Sequence, residues 1–436
     1  MKPQFRTFVL VVSLFVVSAP AHAQLRLPSL PSLPRLPDVT PALRRDVPSR
    51  VAELTQSRQR RIAELLRQRS DAVESDPAGE PVLRGEVVLT SPSDAVLAAA
   101  RGEGFAFARE RILDALDLRL VTLRAPPGWD TRRALQRLRE LDPQASADFN
   151  HLYLESGNAG APATIMPTAS STTASASTLL KVGLIDGGVD ATHAAFSHTT
   201  IHRWGCDGRA IDSAHGTAVA SLLVGHDHRF RGAAPEAALY AADIYCGDAA
   251  GGSVEVLAAA LGWLLGERVP VVNVSLVGPA NRTLEAVVRR AHSRGLLLVA
   301  AVGNDGPAAP PLYPAAYPEV IGVTGVDARS NVLPEAGRGA HVAFAAPGSE
   351  MAAAGVGNTA YANARGTSFA APLVAGLLAR ALREPDATAS AAAVAALARS
   401  AIDLGAAGRD VVYGHGLVAR ELRIEPSAMN VQANVR

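Results

Sequence analysis

The chain has 436 residues, and 42 lysines and arginines against 41 aspartates and glutamates give it a formal net charge of +1. This balance argues against a nucleic-acid partner, because such proteins need a basic face that displaces the counterions of the phosphates. With 48% hydrophobic and 19% charged residues, the composition excludes wholesale disorder. The two cysteines exclude a disulfide-rich scaffold and a four-cysteine zinc site. The composition therefore predicts a globular protein, and the length of the chain predicts two or three domains.

The first 23 residues have the pattern of a secretory signal peptide. Lys2 and Arg6 precede an apolar run at 8–17, and the segment closes on Ala-His-Ala at 21–23. The run is shorter than the roughly 20 residues that a membrane span needs. We therefore expect cleavage after residue 23 and a secreted or periplasmic protein with no membrane span.

Two kinds of sequence follow the signal peptide in residues 24–80. A Leu-Pro repeat at 27–37 predicts an extended spacer, because proline interrupts both helices and strand ladders. Between Pro48 and Val73, apolar residues at helical spacing lie among arginines and predict a basic amphipathic helix. Such a helix either contacts an anionic membrane or cell-envelope polymer or packs on a neighbouring domain, and we favour packing.

The rest of the chain divides into two folded regions. Strand-like runs at 87–89, 118–123 and 145–154, with a helix at Thr131–Leu141, predict a small α+β domain over residues 81–155. Short apolar runs at 181–185, 271–274 and 296–300 alternate with helical segments at 254–265 and 283–292. This alternation predicts an α/β fold over residues 179–422, an open parallel sheet with helices on both faces. A Ser/Thr/Ala-rich linker at 156–178 is an accessible processing site, and residues 423–436 form a C-terminal tail.

Four polar residues lie at the carboxyl ends of predicted strands or at helix starts, where reactive groups collect in parallel α/β sheets. They are Asp186, His215, Asn304 and Ser368. Singly, each has an ordinary explanation such as a helix cap. The pair Gly187-Gly188 after Asp186 would also suit a nucleotide-binding turn, but no G-x-G-x-x-G follows. Together, in the order Asp, His, Ser, they indicate nucleophilic catalysis.

The segments around these residues resemble the signature blocks of the subtilisin-like serine peptidases. They read VGLIDGGVD at 182–190, HGTAVA at 215–220 and GTSFAAP at 366–372, and the weaker matches NVSL at 273–276 and AAVGN at 300–304 lie between them. The resemblance covers about residues 179–417. It implies a subtilisin-like fold and a serine endopeptidase that hydrolyses peptide bonds of polypeptide substrates through an acyl-enzyme.

The resemblance also assigns roles. Ser368 is the nucleophile, His215 takes and returns the proton, and Asp186 orients the imidazole and stabilises its charged form. The Asn304 amide and the Ser368 N–H stabilise the oxyanion.

Further residues are matched to substrate binding. Two segments, Gly251-Gly252-Ser253 and Ser275-Leu276-Val277, would enclose an extended peptide by β-augmentation. Val277 and Val302 replace smaller residues of the family, and two added isopropyl groups would narrow the pocket for the residue before the cleaved bond (P1), so that small residues are preferred. The alternative is that both valines only pack in the core.

The region 81–155 corresponds in size and position to the inhibitory propeptide of the family. The chain's own propeptide would then be a partner that assists folding, blocks the cleft and is removed by self-cleavage. The alternative is a permanent accessory domain.

The remaining predictions concern cysteines, metals and assembly. Export to an oxidising compartment favours a disulfide between Cys206 and Cys246. We expect no cofactor and no metal, since scattered residues such as Asp207, Asp212 and Asp248 do not establish the structural calcium that many relatives bind. A monomer is expected.

A competing hypothesis is a weakly active or inactive protease-fold module for binding or processing in the cell envelope. It is supported by Gly187, which stands where the family has Thr or Ser, and by the long basic N-terminal extension.

Overall fold

A computed structural model describes residues 58–143, 146–156, 180–357 and 361–429. The predicted signal peptide, the Leu-Pro spacer and nearly all of the predicted linker lie outside the described residues. Within those ranges, no helix combines the length and the apolar character that crossing a membrane requires.

The chain is described here in an N-terminal part, 58–156, and a C-terminal part, 180–429. The N-terminal part contains α1 (58–68), β1 (Val73–Ser75), β2 (Pro81–Thr90), α2 (Asp94–Gly102), β3 (Ala106–Leu113), β4 (Leu118–Arg124), α3 (Thr131–Leu141), β5 (Ser146–His151) and β6 (Leu154–Glu155). The C-terminal part contains β7 (Lys181–Asp186), β8 (Ile201–Trp204), α4 (Ala214–Val224), β9 (Ala238–Asp243), α5 (Val254–Gly266), β10 (Val271–Val274), β11 (Leu276–Val277), α6 (Arg282–Ser293), β12 (Leu297–Ala301), β13 (Val320–Val326), β14 (Val342–Pro347), β15 (Met351–Ala354), β16 (Tyr361–Ala364), α7 (Thr367–Ala379) and α8 (Ala387–Ser400).

The C-terminal part is built on a parallel sheet. Among the described residues, seven strands pair in the order β14-β13-β12-β10-β7-β9-β8, and each neighbouring pair is parallel. Apolar side chains of α4 and α7 share one hydrophobic core with the sheet, while those of α5 and α6 share another. The strands are therefore covered on both faces, which explains their nearly continuous apolar sequences. This architecture confirms the predicted fold class.

The sheet of the N-terminal part is antiparallel and buries both of its faces. Its strand order is β1-β2-β4-β3, and β5 also pairs with β2. Because neighbouring side chains of a strand point to opposite faces, Val87 and Leu89 of β2 join the core under α2 and α3. Val88 between them joins the core that contains α5 and α6 of the C-terminal part. The sheet thus docks on the two helices as an extra layer.

Two predicted elements have different bounds in the structure. The basic helix predicted to reach Val73 ends at residue 68, because Val73 pairs with Leu83 and starts the first strand of the N-terminal sheet. The strand predicted over 145–154 is split, because the Leu152 N–H donates to the Pro81 carbonyl while β6 pairs with β11 of the C-terminal part. Both differences arise from long-range pairing that local patterns do not contain.

A buried carboxylate holds the two parts together. Glu255, in the first turn of α5, is 1% exposed and accepts hydrogen bonds from Arg109 at 2.8 Å, Arg111 at 2.7 Å and the Thr122 hydroxyl at 2.7 Å. Burial alone would raise the pKa of Glu255, but the hydrogen bonds and charges of Arg109, Thr122 and Arg111 lower it overall. The carboxylate is therefore satisfied by groups of the N-terminal part.

Replacing Glu255 by Gln tests this contact in the full chain carrying Ser368→Ala, which lacks the predicted nucleophile. We expect a loss of about 2–3 kcal/mol in the free energy of unfolding at neutral pH, because hydrogen bonds to a charged group are lost. The folded-state pKa of Glu255 lies below the ordinary value of 4.5. The stabilisation by its carboxylate is therefore fully present above pH 4.5 and decreases as the pH falls from 4.5 through the folded-state pKa.

Urea unfolding at pH 7 and pH 4 measures both effects. Glu267→Gln at the exposed end of α5 is the matched control. Equal stability of the two variants at pH 7 would contradict the assignment.

Candidate active site

Asp186 and His215 form a buried pair at the carboxyl edge of the sheet. Asp186 ends β7, and His215 lies in the first turn of α4, whose N-cap is Ser213. The His215 Nδ1 lies 2.8 Å from Asp186 Oδ1. Burial lowers the pKa of His215, but the charge and hydrogen bond of Asp186, with a further contribution from Glu155, raise it overall to about 9. The imidazolium form is thus strongly favoured in this state.

Ser368 lies beside this pair at the start of α7. Its carbonyl accepts a hydrogen bond of 2.9 Å from the Ser275 hydroxyl, which in turn accepts one of 2.9 Å from Asn273. Within the described residues, the Ser368 Oγ and the His215 Nε2 are both buried and have no hydrogen-bond partner. These are the two atoms between which a proton would move in nucleophilic attack.

The Asn304 side chain is oriented by α7 and aimed at the N-terminal part. Its Oδ1 accepts from the Thr367 N–H at 3.0 Å, and its Nδ2 donates to the Ser156 carbonyl at 3.1 Å. Gly366 leaves room for this amide, because a Cβ there would lie 3.2 Å from Asn304 Nδ2, and its φ of +137° disfavours side chains. The backbone carbonyl of Ser156, a residue of the same chain, is thus hydrogen-bonded to the side-chain amide of Asn304.

The segment Leu152–Ser156, here called the tail, lies in extended form between two segments of the C-terminal part. The Tyr153 N–H donates to the Gly252 carbonyl at 2.8 Å, and Leu152 bridges Ser253. On the other side, β6 pairs antiparallel with β11, matching Glu155 with Leu276 and Leu154 with Val277. The Ser156 N–H donates to the Ser275 carbonyl at 3.2 Å. The structure therefore brings the predicted segments Gly251–Ser253 and Ser275–Val277 together around one extended strand.

The two valines predicted to form a pocket wall lie in different surroundings. A Cβ built on Gly303, next to Asn304, would lie 2.7 Å from Leu312 Cδ1 and 3.6 Å from Val277 Cγ1. Val302 instead points its Cγ1 to within 3.3 Å of the Cβ position of Gly322, in the core with α5 and α6. Val277 and Leu312 are therefore neighbours beside the Ser156 site, whereas Val302 packs in the interior.

Gly187 has a structural partner that the sequence did not indicate. A Cβ on Gly187 would lie 2.6 Å from both Cβ and Oγ of Ser213. The Ser213 hydroxyl thus occupies the space beside the Asp186–His215 pair that a side chain at 187 would need.

The structure joins Cys206 and Cys246 by a disulfide with Cα atoms 5.2 Å apart. It connects the loop after β8 with the loop that leads to Gly251–Ser253, one wall of the cleft. The bond therefore restrains that wall.

Several residues at the site escaped the sequence analysis. Ser156 and Glu155 were assigned only to a boundary, and Leu312 was not singled out. Tyr153 is fully buried, its hydroxyl donating to the Pro279 carbonyl at 2.8 Å and its ring lying where a Cβ on Gly278 would fall. The one available signal was the position of Tyr153 and Ser156 directly before the Ser/Thr/Ala-rich stretch.

Helix α1 covers the outer side of the tail. Leu65 shares a small hydrophobic cluster with Leu152 and Ala250. The Arg61 Nη1 donates to the Glu155 carbonyl at 3.1 Å, Arg69 pairs with Asp248, and Arg58 lies 3.6 Å from the carboxylate of Asp305. The basic helix therefore packs on its neighbours, as favoured from the sequence, and its arginines contact both the tail and the rim of the cleft.

Comparisons with known proteins agree with this geometry. The sequence model of the subtilase family matches residues 178–416, so the chain belongs to the subtilase family of serine peptidases. Over 261 residues, 57% of the chain, it is 31% identical to the minor extracellular protease Epr of Bacillus subtilis (strain 168), of which the match spans 39%. It is also 31% identical over 251 residues, 55% of the chain, to subtilisin DY of Bacillus licheniformis, of which 88% is matched.

A solved structure extends the likeness in fold. Fervidolysin from Fervidobacterium pennivorans, a keratinolytic enzyme related to subtilisin, superimposes with a TM-score of 0.65 at 20% identity. The superposition covers 83% of this chain and 62% of fervidolysin. At this identity the likeness concerns the fold.

The contacts of α1 predict slow amide exchange in the tail. Replacing Arg61 and Arg69 together by Ala in the Ser368→Ala chain should raise hydrogen exchange at the Tyr153 and Ser156 amides, because both contacts hold the helix against the tail and the rim. Hydrogen exchange with mass spectrometry measures it. Arg67→Ala is the control, since Arg67 is 72% exposed and pairs only with Glu64 of its own helix. Equal exchange in both variants would show that α1 does not restrain the tail.

Proposed function

We propose that this protein is an exported serine endopeptidase, made as a precursor that cleaves its own chain between Ser156 and Gly157. The observation that carries the proposal is the Ser156 carbonyl on the Asn304 amide, whose oxygen accepts from the N–H of Thr367, the residue before Ser368. Membership of the subtilase family supports the reaction. The similarity to an extracellular protease and the signal-peptide pattern support export.

The chemistry follows from the side chains. Ser368 Oγ attacks the Ser156 carbonyl carbon while His215 Nε2 takes its proton, and Asp186 stabilises the imidazolium that forms. The negative charge on the carbonyl oxygen is held by the Asn304 amide, aided by the Ser368 N–H at the start of α7. His215 then protonates the Gly157 nitrogen as the peptide bond breaks and leaves an acyl-enzyme. Water, deprotonated by His215, releases the Ser156 carboxylate and restores the Ser368 hydroxyl.

After cleavage the N-terminal part acts as an inhibitor. The tail keeps its strand pairing on both sides, and the sheet stays docked through Glu255. Helix α1 adds contacts outside the tail, so we assign the inhibitory function to residues 58–156 rather than to 81–155 alone. Activity would appear when this part is released or degraded.

Self-cleavage is tested by expressing the chain with and without Ser368→Ala. We expect the wild type to yield a fragment that starts at Gly157 and the variant to remain uncleaved, because no acyl-enzyme forms without the hydroxyl. Mass spectrometry of the products defines the cleaved bond, and a phosphonate probe reports labelling of Ser368. Cleavage after Ser156 in the purified variant would rule out self-processing, and a wild type that shows neither cleavage nor labelling of Ser368 would favour the inactive binding module.

A preference for small P1 residues is part of the proposal. Ser156 is itself small, and Val277 and Leu312 approach the adjacent Gly303. Val277→Gly should therefore raise cleavage after Phe relative to Ala by about 10-fold or more, in the range of a hydrophobic wall change. The ratio of kcat/KM on matched peptides measures this.

Val302→Ala is the matched control, because that side chain packs against Gly322 and should leave the ratio unchanged. Equal kcat/KM of the wild type for cleavage after Phe and after Ala would contradict the proposed preference.

A further inference from the structure

Glu155 is the one acidic side chain of the tail, and it lies against the catalytic pair. It is the second residue before the proposed cleaved bond (P2). Its Oε1 accepts a hydrogen bond of 3.4 Å from the Ser213 hydroxyl. One carboxylate oxygen each of Glu155 and Asp186 and one ring nitrogen of His215 lie within 4.8 Å of one another.

The room for this carboxylate depends on Gly187. A Cβ at 187 would lie 3.2 Å from Glu155 Oε1 and 2.6 Å from Ser213 Oγ, so it would crowd both partners of the hydrogen bond. Ser213 keeps its place because its hydroxyl also accepts from the Gly216 N–H at 3.2 Å as the N-cap of α4. Gly187 and Ser213 thus form one small polar recess beside His215.

The charges facing this recess come from four elements. His215 of α4 attracts the Glu155 carboxylate, Asp186 of β7 repels it, and Arg61 of α1 attracts it. The half-buried Tyr245, which follows β9, also faces it and donates from its hydroxyl to the Tyr153 carbonyl at 3.0 Å. Burial raises the pKa of Glu155 above its ordinary value, and the positive charge of His215 and the hydrogen bond from Ser213 reduce that rise without reversing it. A carboxylate is therefore tolerated here because of the imidazolium beside it.

We propose that the recess formed by Gly187 and Ser213 is a P2 subsite that selects acidic side chains, so that the enzyme prefers polypeptides with Glu before a small P1 residue. This inference rests on the proposed endopeptidase activity. Gly187 and Ser213 are then specificity-determining residues. The glycine that departs from the family pattern enlarges a subsite instead of impairing the catalytic Asp.

The same contact links specificity to pH. His215 must be neutral to accept the proton from Ser368, and a P2 carboxylate stabilises its protonated form. With Glu at P2, the acidic limb of kcat should therefore lie at higher pH than with Gln. The acidic limb of kcat/KM at pH values where the peptide is fully ionised should coincide for both peptides, because it reports His215 of the free enzyme.

The experiment uses the processed wild-type enzyme and three peptides that differ only in Glu, Gln or Leu at P2, with Ser at P1. We expect kcat/KM for Glu to exceed that for Gln by about 10-fold, the value of a hydrogen bond to a charged acceptor. Ser213→Ala should remove this ratio, and Ser213→Thr, which retains a hydroxyl and a capping oxygen, should restore most of it.

A side chain at position 187 alone would crowd Ser213 and disturb folding. A double variant avoids this crowding. Gly187→Ala with Ser213→Gly fills one side of the recess and empties the other, and glycine is tolerated at an N-cap. It should lose the Glu preference, and labelling of Ser368 by the phosphonate probe reports that the site of this variant is still assembled.

The outcomes separate the two proposals. Failure of all three peptides together with absent Ser368 labelling overturns the proposed function. Efficient cleavage with equal kcat/KM for Glu, Gln and Leu overturns the P2 subsite alone, as does a Glu preference that survives both the Ser213→Ala and the double variant. An acidic limb of kcat that lies at the same pH for the Glu and Gln peptides overturns the proposed link between specificity and pH.

Discussion

The hydrogen bond between the Asn304 amide and the Ser156 carbonyl is the contact on which the rest of the structure depends. It places a peptide carbonyl of the chain beside the start of α7, which carries the proposed nucleophile Ser368. One partner is held by the parallel sheet and by α7, through Thr367. The other is held by strand pairing with Ser275–Val277 and by the docked antiparallel sheet. The parallel sheet therefore positions one partner of this hydrogen bond, and the antiparallel sheet positions the other.

This arrangement requires the N-terminal sheet to be incomplete by itself. Alternate residues of β2 point to opposite faces, and only one face is covered by α2 and α3. Val88 and Leu120 of the other face are buried against α5 and α6, and the half-buried Arg109 and Arg111 bind Glu255 at the same interface. Exposing this apolar face would cost about 25 cal/mol per Å². The sheet is thus stabilised by docking, and docking delivers the tail to the cleft.

The sequence predicted what depends on local pattern and on short motifs. The apolar strands and amphipathic helices gave the α/β class, and the blocks around Asp186, His215 and Ser368 gave a site whose residues the structure brings together. It did not predict the end of α1, the split between β5 and β6, or the proximity of Leu312 and Ser213 to the site. Each of these depends on contacts between residues far apart in sequence, such as Val73 with Leu83. Val302 illustrates the same limit, since its neighbour Gly303 approaches Val277 and Leu312 while Val302 approaches Gly322 in the core.

In the proposed precursor, the N-terminal part is an inhibitor that binds as a substrate does, so it must differ from a substrate in something other than its backbone contacts. The tail uses strand pairing that any extended peptide can use. What sets it apart is restraint: its strand is continuous with a docked sheet, Leu152 packs under Leu65 of α1, and Arg61 holds the Glu155 carbonyl from outside. These restraints keep the cleaved end near the cleft at a high effective concentration and reduce the entropy gained on dissociation. After Asp186, Glu155 also contributes to the raised pKa of His215. In this proposal the tail residues are cleaved once as part of the precursor and then occupy the cleft for as long as these restraints hold them.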